Sequence, residues 1–186
     1  MLWIDEIEKG FSGSQSSGST DGGTSSRVFG SFLSWMQEKD KPVFVVATAN
    51  DVSKLPPEFL RKGRFDELFF VDLPDALERA QIWDIVIARH KRKPTDFDTV
   101  VLARACEQFT GAEIEAAFID AMHEAYFEGE EPKRKHLLEA ITSTVPLANL
   151  MDGQIAALRH WAKGRAREAA TRVTSPRGGR RIAEAN

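Results

Sequence analysis

Two adjacent carboxylates, Asp5 and Glu6, end the short apolar run Leu2-Trp3-Ile4. A run of that kind reads as a strand buried in a parallel sheet. Such a strand delivers whatever follows it to the carboxyl edge, where open α/β sheets take their ligands. At that edge Asp5 can hold Mg2+, directly or through water, and Glu6 can polarise an attacking water. The same run also fits a plain strand end meeting solvent, so other residues must decide. Asn50 follows a second apolar run, Val43 to Ala47, and comes level with the acid pair. Its neutral amide can orient a water there, although Asn50-Asp51 also fits an ordinary turn. Arg61 and Arg64 flank Gly63 at the end of a short helix. Their planar forks suit phosphoryl oxygens, and the segment also fits a solvated basic helix end. Gly111-Ala112 opens a further helix. A Gly-Ala pair there allows the close approach of a flat ligand, or equally of a neighbouring helix.

These residues need elements to place them. Residues 11–24 are rich in Gly and Ser, a surface loop that fits a linker and a functional loop equally. Residues 25–39 read as a helix with Val28, Phe29, Phe32, Leu33 and Met36 as its buried stripe. The β-branched run Val43–Ala47 reads as a strand buried on both faces, and Leu68–Val71 as a third. Pro56 and Pro57 open a short helix that closes at Gly63. After Pro74 the alternation stops and only helices follow. Asp75 and Glu78 form a capping box for a helix to about His90, with Leu77, Ile82, Ile85 and Val86 inward. Another helix runs from about Gly111 to Glu128, capped by Gly129, and residues 136–142 form one more. A long helix is expected from 149 to 172. The predicted class is therefore α/β, a partial parallel sheet of three strands followed by an all-α subdomain and a C-terminal helix. Its segments are 1–74, 75–145, 146–172 and a disordered basic tail, 173–186.

The chain has 186 residues, 42% hydrophobic and 28% charged, as soluble globular proteins do. A net charge of −3 gives no whole-chain attraction to nucleic acid or membrane. The charge is uneven: residues 159–186 carry +6 and the rest −9. No aromatic residues interleave with the basic tail, so a nucleic-acid partner is not expected. The single cysteine, Cys106, excludes an internal disulfide and suits a reducing, cytoplasmic compartment. No membrane span is expected. The four histidines lack metal-ligand spacing and read as solvated helix positions.

Taken in order, these motifs resemble the second half of an AAA ATPase domain, of the clade of hexameric unfoldases and membrane-severing enzymes. The resemblance covers roughly residues 1–128. Its carriers are strand-Asp5-Glu6, Ala47-Thr48-Ala49-Asn50, Pro56-Pro57-Glu58-Phe59-Leu60-Arg61-Lys62-Gly63-Arg64-Phe65-Asp66 and Thr110-Gly111-Ala112-Glu113-Ile114. Residues 8–11, 32–38 and 144–147 further resemble an uncharacterised AAA protein of cyanobacteria and algal plastids. The resemblance implies ATP and Mg2+ as cofactors. It makes Asp5 the Walker B aspartate and metal ligand, Glu6 the catalytic glutamate and Asn50 the sensor 1 residue. Arg61 and Arg64 match paired arginine fingers that act on a neighbouring subunit's nucleotide. Gly111 and Ala112 match the nucleotide-contacting sensor 2 region, Arg27 an interface arginine, and the Gly/Ser loop a second pore loop. The implied partners are copies of itself or related AAA subunits in a ring, expected to be a hexamer, with an unknown protein substrate.

No phosphate-cradling G-x-x-x-x-G-K-[ST] loop occurs in these residues, so the chain reads as beginning in the middle of an ATPase domain. In the family sheet, the strand before that loop lies between the counterparts of Val43–Ala47 and Leu68–Val71. Those two strands are therefore expected to present unpaired edges. A second reading is a non-enzymatic interaction module that docks on complete AAA subunits through Arg61, Arg64 and the helices. Backbone amides of a phosphate loop supply most phosphate affinity. The 186-residue chain alone should therefore bind ATP weakly or not at all. Calorimetric titration tests this, and micromolar affinity would refute it.

Overall fold

A computed structural model describes residues 1–11, 22–38, 40–61 and 63–170, with the side chains of Phe11 and residues 22–29 outside that description. The chain divides into two compact units, Met1–Phe69 with His160–Arg167, and Phe70–Arg159 with Glu168 onward.

In the first unit, β1 (Leu2–Ile4) pairs in parallel with β2 (Val45–Ala47). Parallel neighbours need a long crossover, and here it contains α1 (Gly22–Glu38). Ile7 and Phe59 are buried, with Ile4, Phe32, Leu33, Ala47, Leu55 and Phe65 packed against them. Phe32 stacks on Phe59 with ring centroids 6.3 Å apart. The proline-opened helix is a single 3-10 turn, Pro57–Leu60, and Gly63 follows at φ +91°.

Three expectations about the strands change. The sheet is not buried on both faces, because Trp3 is 58% and Phe44 72% exposed. Trp3 lies between Leu2 and Ile4, and alternate residues of a strand face opposite sides. Ile4 faces the small core, so Trp3 faces away from it. The third strand, β3 (Phe69–Phe70), does not join β1 and β2 in a three-stranded sheet. It pairs with β4 (Arg167–Glu168), where Arg167 N–H donates to Leu68 O (2.8 Å) and Ala169 N–H to Phe70 O (2.9 Å). On that side of β3 the carbonyls of Leu68 and Phe70 thus find backbone donors. The α/β class itself is as expected, a small parallel sheet followed by helices.

The second unit is helical: α2 (Ala76–Arg89), α3 (Thr99–Ala105), α4 (Gly111–Phe127), α5 (Arg134–Ser143), α6 (Leu147–Leu150) and the start of α7 (Asp152–Ala162). The long terminal helix is thus two shorter ones, and Gly164 at φ +77° lies beyond the second. The Asp75–Glu78 capping box at α2 is present as expected. The face that α2 buries is rotated from the predicted stripe. Leu77 and Ile85 are exposed, while Ala80, Trp83, Val86 and Ile87 enter the core. Arg79 is also buried on that face, its guanidinium donating to Ala103 O (2.9 Å) and Pro74 O (2.7 Å). His136 is not solvated but 1% exposed. Its Nδ1 accepts from Lys133 N–H (3.0 Å) and its Nε2 meets Glu128 (3.0 Å), which offsets the cost of burial.

Phe118 is fully buried and touches the rings of Trp83, His90 and Phe97. Phe118→Ala should cost this unit about 3–5 kcal/mol. Urea unfolding followed by circular dichroism should show a lower midpoint with an unchanged slope.

Candidate functional site

The register of the first unit sets Ile4 opposite Ala47. The ladder continues past both strands, with Thr48 N–H donating to Ile4 O (2.9 Å) and Ile7 N–H to Thr48 O (2.8 Å). Asp5-Glu6 and Thr48-Ala49-Asn50 therefore leave the sheet side by side. The Asn50 amide donates to Glu6 Oε1 (2.7 Å). The Thr48 hydroxyl donates to Asp5 Oδ1 (2.6 Å) and accepts from Glu6 N–H (2.9 Å). Asn50 N–H in turn donates to Glu8 Oε1 (3.0 Å). Asp5, Glu6 and Asn50 are thus brought together.

Glu6 sits at φ +48°, the left-handed region that a non-glycine residue adopts at a cost. The conformation turns its carboxylate toward Asn50 and Lys9. Lys9 forms an ion pair with Glu6 Oε2. Its amine pKa is raised by the hydrogen bond and charge of Glu6, with Glu8 and Asp5 adding to the effect. Glu8 is buried, and its Oε2 has no hydrogen-bond partner among the described residues. The exposed Asp5 carboxylate is a hard oxygen donor of the kind Mg2+ takes, and Thr48 engages only its Oδ1.

Arg61 and Arg64 follow in the same unit. Arg61 is exposed at the end of the 3-10 turn. Arg64 is half-buried, its Nη1 donating to Leu33 O of α1 (3.2 Å). The side chain of Arg27, residues 12–21 of the Gly/Ser loop and the basic tail from Thr171 lie outside the described residues, while residues 22–24, expected in that loop, open α1.

Gly111 and Ala112 are the first residues of α4, in the second unit. A Cβ on Gly111 would meet Ile82 at 3.9 Å, an ordinary contact. Helix packing therefore does not require glycine there. The helix start is tightly fixed. Thr110 and Glu113 form a capping box, and Glu113 Oε1 also accepts from Leu147 N–H (2.6 Å). Burial opposes ionisation of Glu113. The hydrogen bonds from Leu147 and Thr110 outweigh it and hold the carboxyl below its ordinary value.

Two other groups carry no such chemistry. Cys106 is buried, and burial pushes its thiol pKa up, which disfavours the nucleophilic thiolate. Glu128, Glu130 and His136 lie close together. Glu128 and Glu130 pair with Lys135 and Lys133 (2.6 Å each). With Nδ1 of His136 accepting, the neutral ring carries its proton on Nε2 and offers no lone pair there.

Thr48, Glu8 and Lys9 were missed by the sequence reading. Thr48 lies one residue past the pair Ile4–Ala47, opposite Asp5, a placement set by the folded register and carrying no sequence signal of its own.

The class is reached through the first unit: residues 1–73 match the family model of the ATPase family associated with various cellular activities (AAA) and belong to that family. It is 50% identical over 171 residues to the uncharacterised AAA domain-containing protein ycf46 of Pyropia yezoensis, covering 91% of this chain and 34% of that protein. Its counterpart in Guillardia theta is 46% identical over 163 residues, 87% of this chain and 32% of that one. A proteasome-activating nucleotidase of Saccharolobus islandicus is 32% identical over 111 residues, 59% of this chain and 28% of the nucleotidase. The crystal structure of the FIGL-1 AAA domain superposes with a TM-score of 0.67 at 19% identity, over 88% of this chain and 56% of that one. The chain thus spans about a third of the length of the ycf46 relatives. No helix among the described residues is long and apolar enough to cross a membrane.

The Glu113 contacts generate a pH test. A carboxyl with a lowered folded pKa contributes stability above its unfolded value, and that stability is lost as pH falls through the folded value. Relative to wild type, Glu113→Gln should be less stable at pH 7. The difference should shrink as pH falls below about 4.5, the ordinary glutamate value. Urea midpoints measured across pH 3–7 check this.

Proposed function

We propose that this chain is the acid-pair-to-lid part of an AAA ATPase. It would hydrolyse ATP when joined to a phosphate-binding loop, within a ring expected to be a hexamer. The observation that carries the reading is the convergence of Asp5, Glu6 and Asn50 on one sheet edge through the 2.6, 2.7 and 2.9 Å hydrogen bonds. Residues 1–74 would belong to the nucleotide-binding subdomain, 75–145 to the lid, 146–172 to a C-terminal segment and 173–186 to a basic tail.

Asp5 would hold Mg2+, which supplies charge neutralisation to the phosphates. Glu6, directed by Asn50, would accept the proton of the attacking water, and Asn50 would keep that carboxylate aligned. Lys9 must release Glu6 as the base acts, because an ion-paired carboxylate is a poorer base. Arg61, exposed, and Arg64 would reach the nucleotide of the neighbouring subunit and stabilise charge on the transferring group. Gly111 and Ala112 would contact the nucleotide from the lid. The work done would be remodelling of a protein substrate, a reading supported by the likeness to a proteasome-activating nucleotidase. The buried free thiol of Cys106 fits a reducing, cytoplasmic setting.

The test uses the polypeptide that carries this sequence together with a phosphate-binding loop. Glu6→Gln should retain ATP binding and lose turnover, trapping the nucleotide. Arg61→Ala should lower kcat about 10³-fold or more, with ATP still bound. Wild-type turnover in Glu6→Gln would refute the role of Glu6. If no ATP is bound even with the loop present, a docking module is left as the better reading.

A further inference from the structure

Successive residues of an extended strand point to opposite faces. Two adjacent carboxylates can therefore serve one edge only if the chain leaves strand geometry between them. Here the break is Glu6, at a φ of +48° that a non-glycine residue adopts only at a steric cost. Something must hold it, and the groups that do so are few. Lys9 N–H donates to the Glu6 carbonyl (2.9 Å), and Glu6 N–H donates to the Thr48 hydroxyl (2.9 Å). The second bond spans 42 residues of sequence.

A hydroxyl has one proton and two lone pairs. Because a lone pair of Thr48 faces Glu6 N–H, its proton is free for Asp5 Oδ1, which it reaches at 2.6 Å. One oxygen thus fixes the carboxylate of one acid and the backbone of the other. Its own backbone is clamped on both sides, by Thr48 N–H to Ile4 O and Ile7 N–H to Thr48 O. The hydroxyl therefore has a defined position relative to the sheet.

Resting on the ATPase reading above, we propose that Thr48 is a positioning residue for Mg2+ and for the attacking water. Its hydroxyl orients the Asp5 carboxylate so that the second oxygen serves the cation. At the same time it holds Glu6 in the left-handed conformation that sends the base toward Asn50. Partners that orient metal ligands change metal affinity or activity by about 10–100-fold when removed.

Valine at position 48 keeps the shape and deletes the hydroxyl, whereas serine keeps the hydroxyl. In the 186-residue chain, amide hydrogen exchange should show Glu6 losing protection in Thr48→Val. Ile7, bonded to the Thr48 carbonyl (2.8 Å), should keep it, and Thr48→Ser should protect both. In the polypeptide that also carries a phosphate-binding loop, Thr48→Val should raise the Mg2+ concentration for half-maximal turnover about 10-fold or more. KM for ATP at saturating Mg2+ should not change, and Thr48→Ser should restore the wild-type Mg2+ response. The proposal is overturned if Thr48→Val leaves Glu6 protected. It is also overturned if turnover falls equally at every Mg2+ concentration, or if serine fails to rescue. Two controls run in parallel: wild-type turnover in Glu6→Gln removes Glu6 from the role of base, and no turnover in the unsubstituted loop-bearing polypeptide sinks the ATPase reading, while the exchange measurement still decides the hold of Thr48 on the acid pair.

Discussion

The first unit depends on the register of two three-residue strands. Ile4 lies opposite Ala47, and every polar contact of the acid pair with residues 48–50 follows from that pairing. A slip of one residue in β1 would turn Ile4 away from Phe59 and the small core, and a slip in β2 would do the same to Ala47. Either would also carry Thr48 away from Asp5. The strands are too short for backbone bonds alone to fix the pairing. The apolar contacts under the sheet and the polar contacts beyond it support the same register, so packing and chemistry are set together.

The second unit fixes its helix starts differently. Asp75 and Thr110 each cap a helix and are answered by Glu78 and Glu113 three residues on. Glu113 does more than cap, because its other oxygen holds the backbone at Leu147. The start of α4, where Gly111 and Ala112 lie, is thereby tied to the segment that opens α6. The buried Arg79 in this unit is held by the main chain, at Pro74 O and Ala103 O. Satisfied groups of this kind specify one arrangement of helices, where unsatisfied ones would cost it stability.

Much of this was legible in the sequence. The Asp75–Glu78 capping box and the strand ends at Asp5 and Asn50 are local patterns, and local patterns survive folding. The apolar stripe of α2 was legible only in part. Periodicity shows that a helix has a buried face but not where its edges fall, so Leu77 and Ile85 turned out exposed and Ala80 and Ile87 buried. His136 was misjudged because its partner, Lys133 N–H, is a backbone group without a sequence signature. Thr48 was invisible for a related reason. Its contacts span 42 and 43 residues and exist only once a register is chosen. The new partner of β3 depends on a turn of chain near residue 167 that no motif announces.

The left-handed backbone at Glu6 has an evolutionary consequence. Single-base changes of a glutamate codon reach Gly, Asp, Ala, Val, Lys and Gln. Glycine adopts this conformation without steric cost, and aspartate tolerates it better than most residues. Those two changes would relax the main chain while deleting or shortening the proposed base. Valine would do the reverse to the backbone, since β-branching makes a positive φ worse. Under the role proposed for Glu6, drift toward a better-folded chain and selection for its carboxylate therefore oppose each other at this codon. A lineage without that role should lose its glutamate here to glycine or aspartate, and gain stability in doing so.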